Sequence, residues 1–173
     1  MSDSLNVHLF GGDGVGWALD DDLSLTRKAL EQISNITLTD KLDEADVIHS
    51  VWCIPLLDVH PNRLIGKRII SHLDNDLIAY YKNTSWLNIQ QKVQHWIPIS
   101  QKALKEAKST GLSATYIPYT INTDVFRPLK ESTLRNKYGL PKDRYLIGNF
   151  MRDSSVDDLS RPKHQKGAEL FLE

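Results

Sequence analysis

The residue types best suited to chemistry stand where an apolar stretch of the chain ends. His72 and Asp74, followed by Asn75 and Asp76, come directly after the hydrophobic run Lys67–Ser71. Such a group can hydrogen-bond a ligand, hold a metal ion or cap the next helix. The oxygen ligands of a calcium loop are incomplete and no second histidine has zinc-site spacing, so we expect no metal. We predict that His72 acts at a reactive centre and that Asp74 binds ligand, with Asx-type turn chemistry as the alternative.

A glycine-rich run, Phe10–Gly16, lies between a predicted strand and a predicted helix, where phosphates often bind. Gly14 and Gly16 are therefore candidate ligand contacts. The run is not a dinucleotide fingerprint, because Trp17 or Leu19 stands where the third glycine belongs, and no Gly-Lys-Ser/Thr of a P-loop follows. A tight turn that lets the backbone pass remains the alternative.

Two cations near the end of the sequence could hold a diphosphate. Arg152 follows an apolar run ending at Phe150, and Lys166 precedes Gly167 at the start of a helical pattern. Arginine offers a planar fork of donors and lysine a point charge, which together suit phosphate oxygens. A solvated basic loop is the alternative, but the placement at a strand end and a helix start favours binding.

The elements that must position these residues alternate between strand and helix. Apolar runs predict six strands, and 3.6-residue periodicity or capping predicts helices between them, with Asp20–Asp22 on the solvated side of the first helix. Ser100 is the predicted N-cap of a helix over Gln101–Ser109, and it is also a candidate binding residue because it follows a strand. The predicted strands are Asn6–Phe10, Ile36–Leu38, Ala45–Val51, Lys67–His72, Trp96–Ile99 and Thr115–Ile117.

This alternation predicts an α/β fold with a Rossmann-like parallel sheet and helices on both faces. Ligands of such sheets bind at the carboxyl ends of the strands, where the glycine run, His72 and Ser100 would all lie. We place the first domain at residues 1–128. Residues 129–173 would be a linker, a short helix over Glu131–Tyr138, and the first strand and helix of an incomplete second domain.

Composition narrows the class of protein. The 173 residues carry a net charge of −1 with mixed signs, which gives no reason to expect a nucleic-acid partner. The single cysteine, Cys53, excludes an internal disulfide and suits a reducing compartment. No apolar run approaches the roughly 20 residues of a membrane span. We expect a cytoplasmic protein without a transmembrane segment, able to touch a membrane peripherally if its acceptor is a lipid.

Five segments give the chain a resemblance to the retaining GT-B glycosyltransferases, often called group 1. Ile117–Pro128 is similar to the motif that ends the family's first domain, although Tyr119, Thr120 and Asn122 depart from it. Phe150–Arg152 with Lys166–Leu172 resembles the family's next strand, loop and helix, with Met151 in place of glycine. Ala45–Ser50 and Trp96–Leu104 look like its third and fifth strand regions. The resemblance covers nearly the whole chain.

The resemblance implies the N-terminal part of an enzyme that transfers a sugar, with retention, from a nucleotide-diphosphate sugar to a saccharide or lipid-linked acceptor. The nucleotide sugar is a substrate, and no cofactor is implied. By position, Gly14 and Gly16 would lie near the donor phosphates and acceptor, and His72 would approach the transferring sugar. Arg152 and Lys166 would hold the diphosphate. The family's Glu-x₇-Glu region would lie after Glu173, so we expect these 173 residues alone to be inactive.

Two other functions remain open from sequence. A non-catalytic, Rossmann-like module that binds a sugar or nucleotide is compatible with the departures from the family motifs. A different Rossmann-like enzyme, such as an epimerase or dehydrogenase, is disfavoured by the missing glycine fingerprint.

Overall fold

The computed structural model describes residues 4–16, 18–73, 84–128 and 131–148. The chain divides into two compact units, Met1–Arg127 and Pro128–Glu173. The strands of the first unit are Leu5–Phe10 (β1), Ile36–Leu38 (β2), Val47–Ser50 (β3), Arg68–Leu73 (β4) and His95–Pro98 (β5). Its helices are Ala18–Leu30 (α1), Thr84–Lys92 (α2) and Gln101–Ser109 (α3).

The five strands form one parallel sheet in the order β2-β1-β3-β4-β5. This is the Rossmann-like α/β fold that the sequence predicts. The chain winds outward from β1 to β2, then returns to the other side of β1 to build β3, β4 and β5. The winding direction therefore changes between β1 and β3, and the carboxyl ends of neighbouring strands surround a crevice at such a point.

One face of the sheet carries the main hydrophobic cluster. Side chains alternate between the faces of a strand, so Ile48 and Ile69, which are register partners, share this face. Trp96 joins them and packs against Trp86 of α2, with ring centroids 5.3 Å apart and both residues 1% exposed. Ala107 of α3 belongs to the same cluster. Helices α2 and α3 thus cover this face.

Helix α1 covers the opposite face. Its Asp22 contacts His72 of β4, and the register pairs Leu9 with His49 and His72 with Ile97 on this side of the sheet. The sheet is therefore covered by helices on both faces, as predicted from the alternation of strands and helices.

The predicted start and end of α3 are confirmed. The Ser100 hydroxyl accepts a hydrogen bond from the Ala103 amide at 3.1 Å and satisfies one free N–H of the first turn. Thr110 and Gly111 follow the last helical residue, and Gly111 has φ +76°.

The predicted sixth strand is wrong. Thr115–Ile117 forms no regular strand, and only an isolated parallel bridge joins Ala114 to Trp96. The amides of Thr115 and Ile117 donate to the carbonyls of Trp96 and Pro98. Because Pro98 has no N–H, β5 has no donor at that position to continue the ladder.

The second unit is described over residues 131–148. It contains one helix, Glu131–Lys137 (α4), followed by Gly139 with φ +64°. The Arg135 guanidinium donates to the carbonyls of Pro141 and Arg144 and holds the segment after the helix. Leu146–Gly148 forms no strand, and the rest of the predicted strand, helix and basic loop lies outside the described residues.

Candidate functional site

Three polar side chains from three elements meet on the α1 face of the sheet. His49 of β3 pairs in register with Ile70 of β4. His72 lies two residues beyond Ile70, so the two imidazoles are diagonal neighbours on one face. Asp22 reaches them from α1. We refer to Asp22, His49 and His72 as the His72 cluster.

The cluster forms a row of contacts. Nδ1 of His72 lies 2.9 Å from Oδ2 of Asp22, and Nε2 of His72 lies 3.2 Å from Nε2 of His49. The first contact brings a carboxylate to an imidazole without the alignment of a hydrogen bond, and both of its atoms are buried. The Asp22 side chain is 6% exposed and that of His72 14%. His72 thus has a partner at each ring nitrogen.

Burial determines the charge of His49. The residue is 8% exposed, and its pKa is lowered from 6.5 to about 4. Removal from water is the main cause and the neighbouring His72 adds to it, whereas the Asp22 carboxylate opposes the shift. At neutral pH His49 is therefore an uncharged imidazole, with one nitrogen that donates and one that accepts.

The cluster lines a small cavity of about 150 Å³ in the first unit. Its walls come from α1, from β5 and from the segment Ile117–Thr120, and most of them are apolar. A larger groove of about 530 Å³ lies between α1 and residues 119–126. Asp22, Tyr119 and Thr120 line both spaces. A ligand in the groove could therefore extend to His72.

The glycine run folds around a carboxylate of its own chain. The Gly14 amide donates to Oδ1 of Asp20 at 3.1 Å, and the Gly16 amide donates to Oδ2 at 2.6 Å. These two hydrogen bonds, that of Gly16 first, hold the pKa of Asp20 below its usual value of 3.8. Asp20 thus occupies the amides that we predicted to face phosphate or acceptor. An anionic ligand would have to displace it.

This arrangement predicts how the two glycine amides respond to acid. As pH falls below 3.8, the Asp20 carboxylate takes up a proton and its hydrogen bonds to Gly14 and Gly16 weaken. The stabilisation that they provide is present above pH 3.8 and disappears through the lower pKa of the folded state. In a ¹H–¹⁵N NMR titration, both amide resonances should shift together with a midpoint below 3.8. The shift should vanish in Asp20→Asn, and a midpoint at or above 3.8 would contradict the arrangement.

The structure places the predicted site residues in different surroundings. His72 lines the cavity, Ser100 caps α3, and Gly14 and Gly16 contact Asp20. Asp74, Arg152 and Lys166 lie outside the described residues. Within the described ranges, no group of three or more His, Cys, Asp or Glu side chains is placed to hold a metal ion.

The assignment of Asp20–Asp22 to solvated helix surface is wrong for Asp22, which is buried against His72. Asp20 does lie at the surface, where its carboxylate accepts hydrogen bonds from the glycine amides. Asp22, Thr26 and Leu30 recur at i, i+4 and i+8 and all line the cavity, so helical spacing alone could have placed Asp22 there. Its charge directed the interpretation to solvent instead.

His49 is the site residue that sequence analysis missed. It lies in the apolar strand β3, where a histidine fits a core position as well as a site. The signal that could have found it is the parallel pairing of β3 with β4, which places it diagonally beside His72.

The chain matches no protein-family model and no curated protein sequence. In the part of the chain that the structure describes, no helix is both long and apolar enough to cross a bilayer.

Proposed function

We propose that the chain is the acceptor-side part of a retaining, GT-B-like glycosyltransferase that uses a nucleotide-diphosphate sugar. One observation carries the proposal: His72, paired with Asp22, lines a cavity that is closed on another side by Ile117–Thr120. That segment belongs to the sequence motif on which the resemblance to this family rests. The Rossmann-like sheet, with both histidines of the cluster on β3 and β4, the strands that follow the change in winding direction, supports the same function.

The cluster has the chemistry to bind a sugar. The Asp22 carboxylate favours the proton on Nδ1 of His72, so a ligand hydroxyl would bond Nε2, the nitrogen that His49 contacts in the protein without ligand. A largely apolar cavity strengthens such a polar contact because little water competes for it. His72 would thus orient the transferring sugar.

The reaction that we propose is front-face transfer assisted by the leaving group. The bond between the anomeric carbon and the phosphate oxygen breaks, and the acceptor oxygen bonds to the same face of that carbon. The acceptor's hydroxyl proton passes to the departing phosphate. Negative charge grows on the diphosphate, and cations held near it lower the barrier. By the resemblance, Arg152 and Lys166 supply these cations. Asp74 and Ser100, which follow predicted strands at the carboxyl edge of the sheet, help to bind the two substrates.

The acceptor in this proposal is a saccharide or a lipid-linked saccharide, and the protein acts in the cytoplasm, with peripheral membrane contact if the acceptor carries a lipid. The groove beside the cavity supports an acceptor with an apolar part. Val125 and Phe126 line it and are 65% and 69% exposed.

A second candidate function is a non-catalytic module that binds a sugar or nucleotide. The position of Asp20 favours it, because a carboxylate already occupies the Gly14 and Gly16 amides that an enzyme of this kind would offer to phosphate. The two candidates differ in turnover, not in ligand class.

The deciding experiment is a transfer screen with protein made from its complete coding sequence. Labelled nucleotide sugars are incubated with a mixture of saccharide acceptors, and product is followed by mass spectrometry. We expect sugar transfer, with kcat/KM lowered about tenfold in His72→Asn, the effect of losing one hydrogen bond of about 1.4 kcal/mol. His95→Asn is the matched control, because His95 bonds Ser113 and Thr115 and does not line the cavity.

Three other outcomes would alter the conclusion. Binding of a sugar or nucleotide sugar without turnover would favour the non-catalytic module. Transfer that is equally fast in His72→Asn would remove His72 from the site. Neither binding nor transfer, across the common nucleotide sugars, would overturn the proposed function.

A further inference from the structure

We propose that His49 is a positioning residue for His72: it holds Nε2 of His72 in one direction, and a ligand hydroxyl reaches that nitrogen by taking the place of His49. This inference rests on the proposed function for its kinetic consequence. Its structural part concerns the described residues alone and is tested without substrate.

The imidazole rings of His49 and His72 approach each other through their Nε2 atoms. The Nε2 atoms are 3.2 Å apart, and the ring centroids are separated by 5.2 Å with an interplanar angle of 59°. The strands fix this approach, since His49 pairs with Ile70 and His72 follows two residues later on the same face. With Asp22 at Nδ1 and His49 at Nε2, the His72 ring is held at both ends.

One proton lies between the two rings. Two Nε2 atoms at hydrogen-bond distance require one proton between them, because two lone pairs or two N–H groups would repel. When His72 is neutral with its proton on Nδ1, His49 donates from Nε2. When His72 is protonated, its Nε2–H donates and His49 accepts through the tautomer protonated at Nδ1. His49 thus satisfies His72 in either charge state.

His49 is surrounded by three titratable groups and by apolar side chains. The titratable groups that face it are Asp22 from α1, His72 from β4 and, across the cavity, Tyr119. Its register partners Leu9 and Ile70 on the neighbouring strands are apolar. Burial lowers the pKa of His49 to about 4, so at neutral pH it places no second positive charge beside a protonated His72.

A ligand can reach Nε2 of His72 only by replacing His49. Both ring nitrogens of His72 have protein partners, so His72 has no nitrogen left for a sugar hydroxyl while His49 is in place. The cavity borders both imidazoles, so a hydroxyl entering it can contact either ring. Binding then exchanges one neutral partner for another, and the direction of Nε2 is set before the ligand arrives.

The direct test is a measurement on the wild-type protein in the absence of ligand. Uniformly ¹⁵N-labelled protein is examined at pH 7 for scalar coupling between the two Nε2 nuclei across the hydrogen bond. We expect a resolved coupling, which disappears in His49→Gln and persists in His8→Gln. His8 is the matched control, a histidine of the same sheet whose Nδ1 lies 3.0 Å from the Thr39 carbonyl oxygen instead. Absence of the coupling in the wild-type protein overturns the proposal.

The kinetic test separates positioning from a merely structural role. With protein from the complete coding sequence, His49→Phe should lower kcat for sugar transfer about tenfold. His49→Gln, whose amide can still donate or accept, should restore it to within about threefold of wild type. Equal kcat in wild type and His49→Phe overturns the proposal. If no variant, wild type included, transfers sugar, the proposed function fails and the scalar coupling alone decides the role of His49.

Discussion

Replacing Gly11 by alanine should lower the free energy of unfolding by roughly 2–6 kcal/mol, the sum of backbone strain and overpacking. Gly11 has φ +106°, and a Cβ there would lie 2.7 Å from the backbone nitrogen of Trp52 and 2.9 Å from its carbonyl oxygen. Backbone atoms at the end of β3 cannot move aside as a flexible side chain can. Denaturation of Gly11→Ala in urea, compared with wild type, measures the loss.

Gly66→Ala is the matched control for Gly11→Ala. Gly66 also has a positive φ, +75°, but nothing lies within 4 Å of the Cβ that alanine would add. The only cost of Gly66→Ala should therefore be the strain of an alanine in the left-handed region, which lowers the free energy of unfolding by roughly 1–2 kcal/mol. Equal losses in the two variants would contradict a close approach at Gly11. A larger loss at Gly11 would show that the first glycine of the run allows two strand ends to meet, whatever the later glycines bind.

Acid should destabilise the protein through His49 by about 3 kcal/mol. Its pKa is 6.5 in the unfolded chain and about 4 in the folded protein, and each unit corresponds to about 1.4 kcal/mol. Between these values the unfolded chain binds a proton that the folded protein does not, so stability rises with pH across the window. The contribution is therefore complete above pH 6.5 and is lost as pH falls to about 4.

Denaturant unfolding at pH 7 and pH 4.5 tests this contribution. Other groups titrate over the same range, so the informative quantity is the difference between wild type and His49→Phe, which has no proton to bind at that position. Wild type should lose more stability between the two pH values than the variant does. An identical loss in wild type and His49→Phe would show that His49 is not held neutral by burial.

The strands and their parallel pairing could be predicted from local pattern because hydrophobic runs, glycines and caps are local properties. Five of the six predicted strands lie within two residues of β1 to β5. The sixth, Thr115–Ile117, failed for a non-local reason: whether an apolar segment becomes a strand depends on the donors of its neighbour, and Pro98 has none to offer.

The candidate site could be predicted only in part, because its contacts join residues distant in sequence. His72 could be predicted because it comes directly after a hydrophobic run in the sequence. Asp22 lies 50 positions earlier in the sequence and His49 lies 23 positions earlier. From its neighbours in sequence alone, Asp22 is interpreted as a surface charge and His49 as a core residue. Asp20 was missed for a similar reason. The carboxylate that binds Gly14 and Gly16 comes from the first turn of α1, and a glycine-rich pattern contains no information about which anion it binds.

The two faces of the sheet should differ in the amino-acid substitutions that they tolerate. Tryptophans and branched aliphatic side chains hold α2 and α3 against one face, whereas the face beneath α1 combines the His72 cluster with apolar residues such as Leu9 and Ile97. Under the proposed function, substitutions that change ligand preference would fall mainly beneath α1, where the His72 cluster lies. A library confined to this cluster leaves the packing of α2 and α3 on the opposite face unchanged, so it should yield many folded variants.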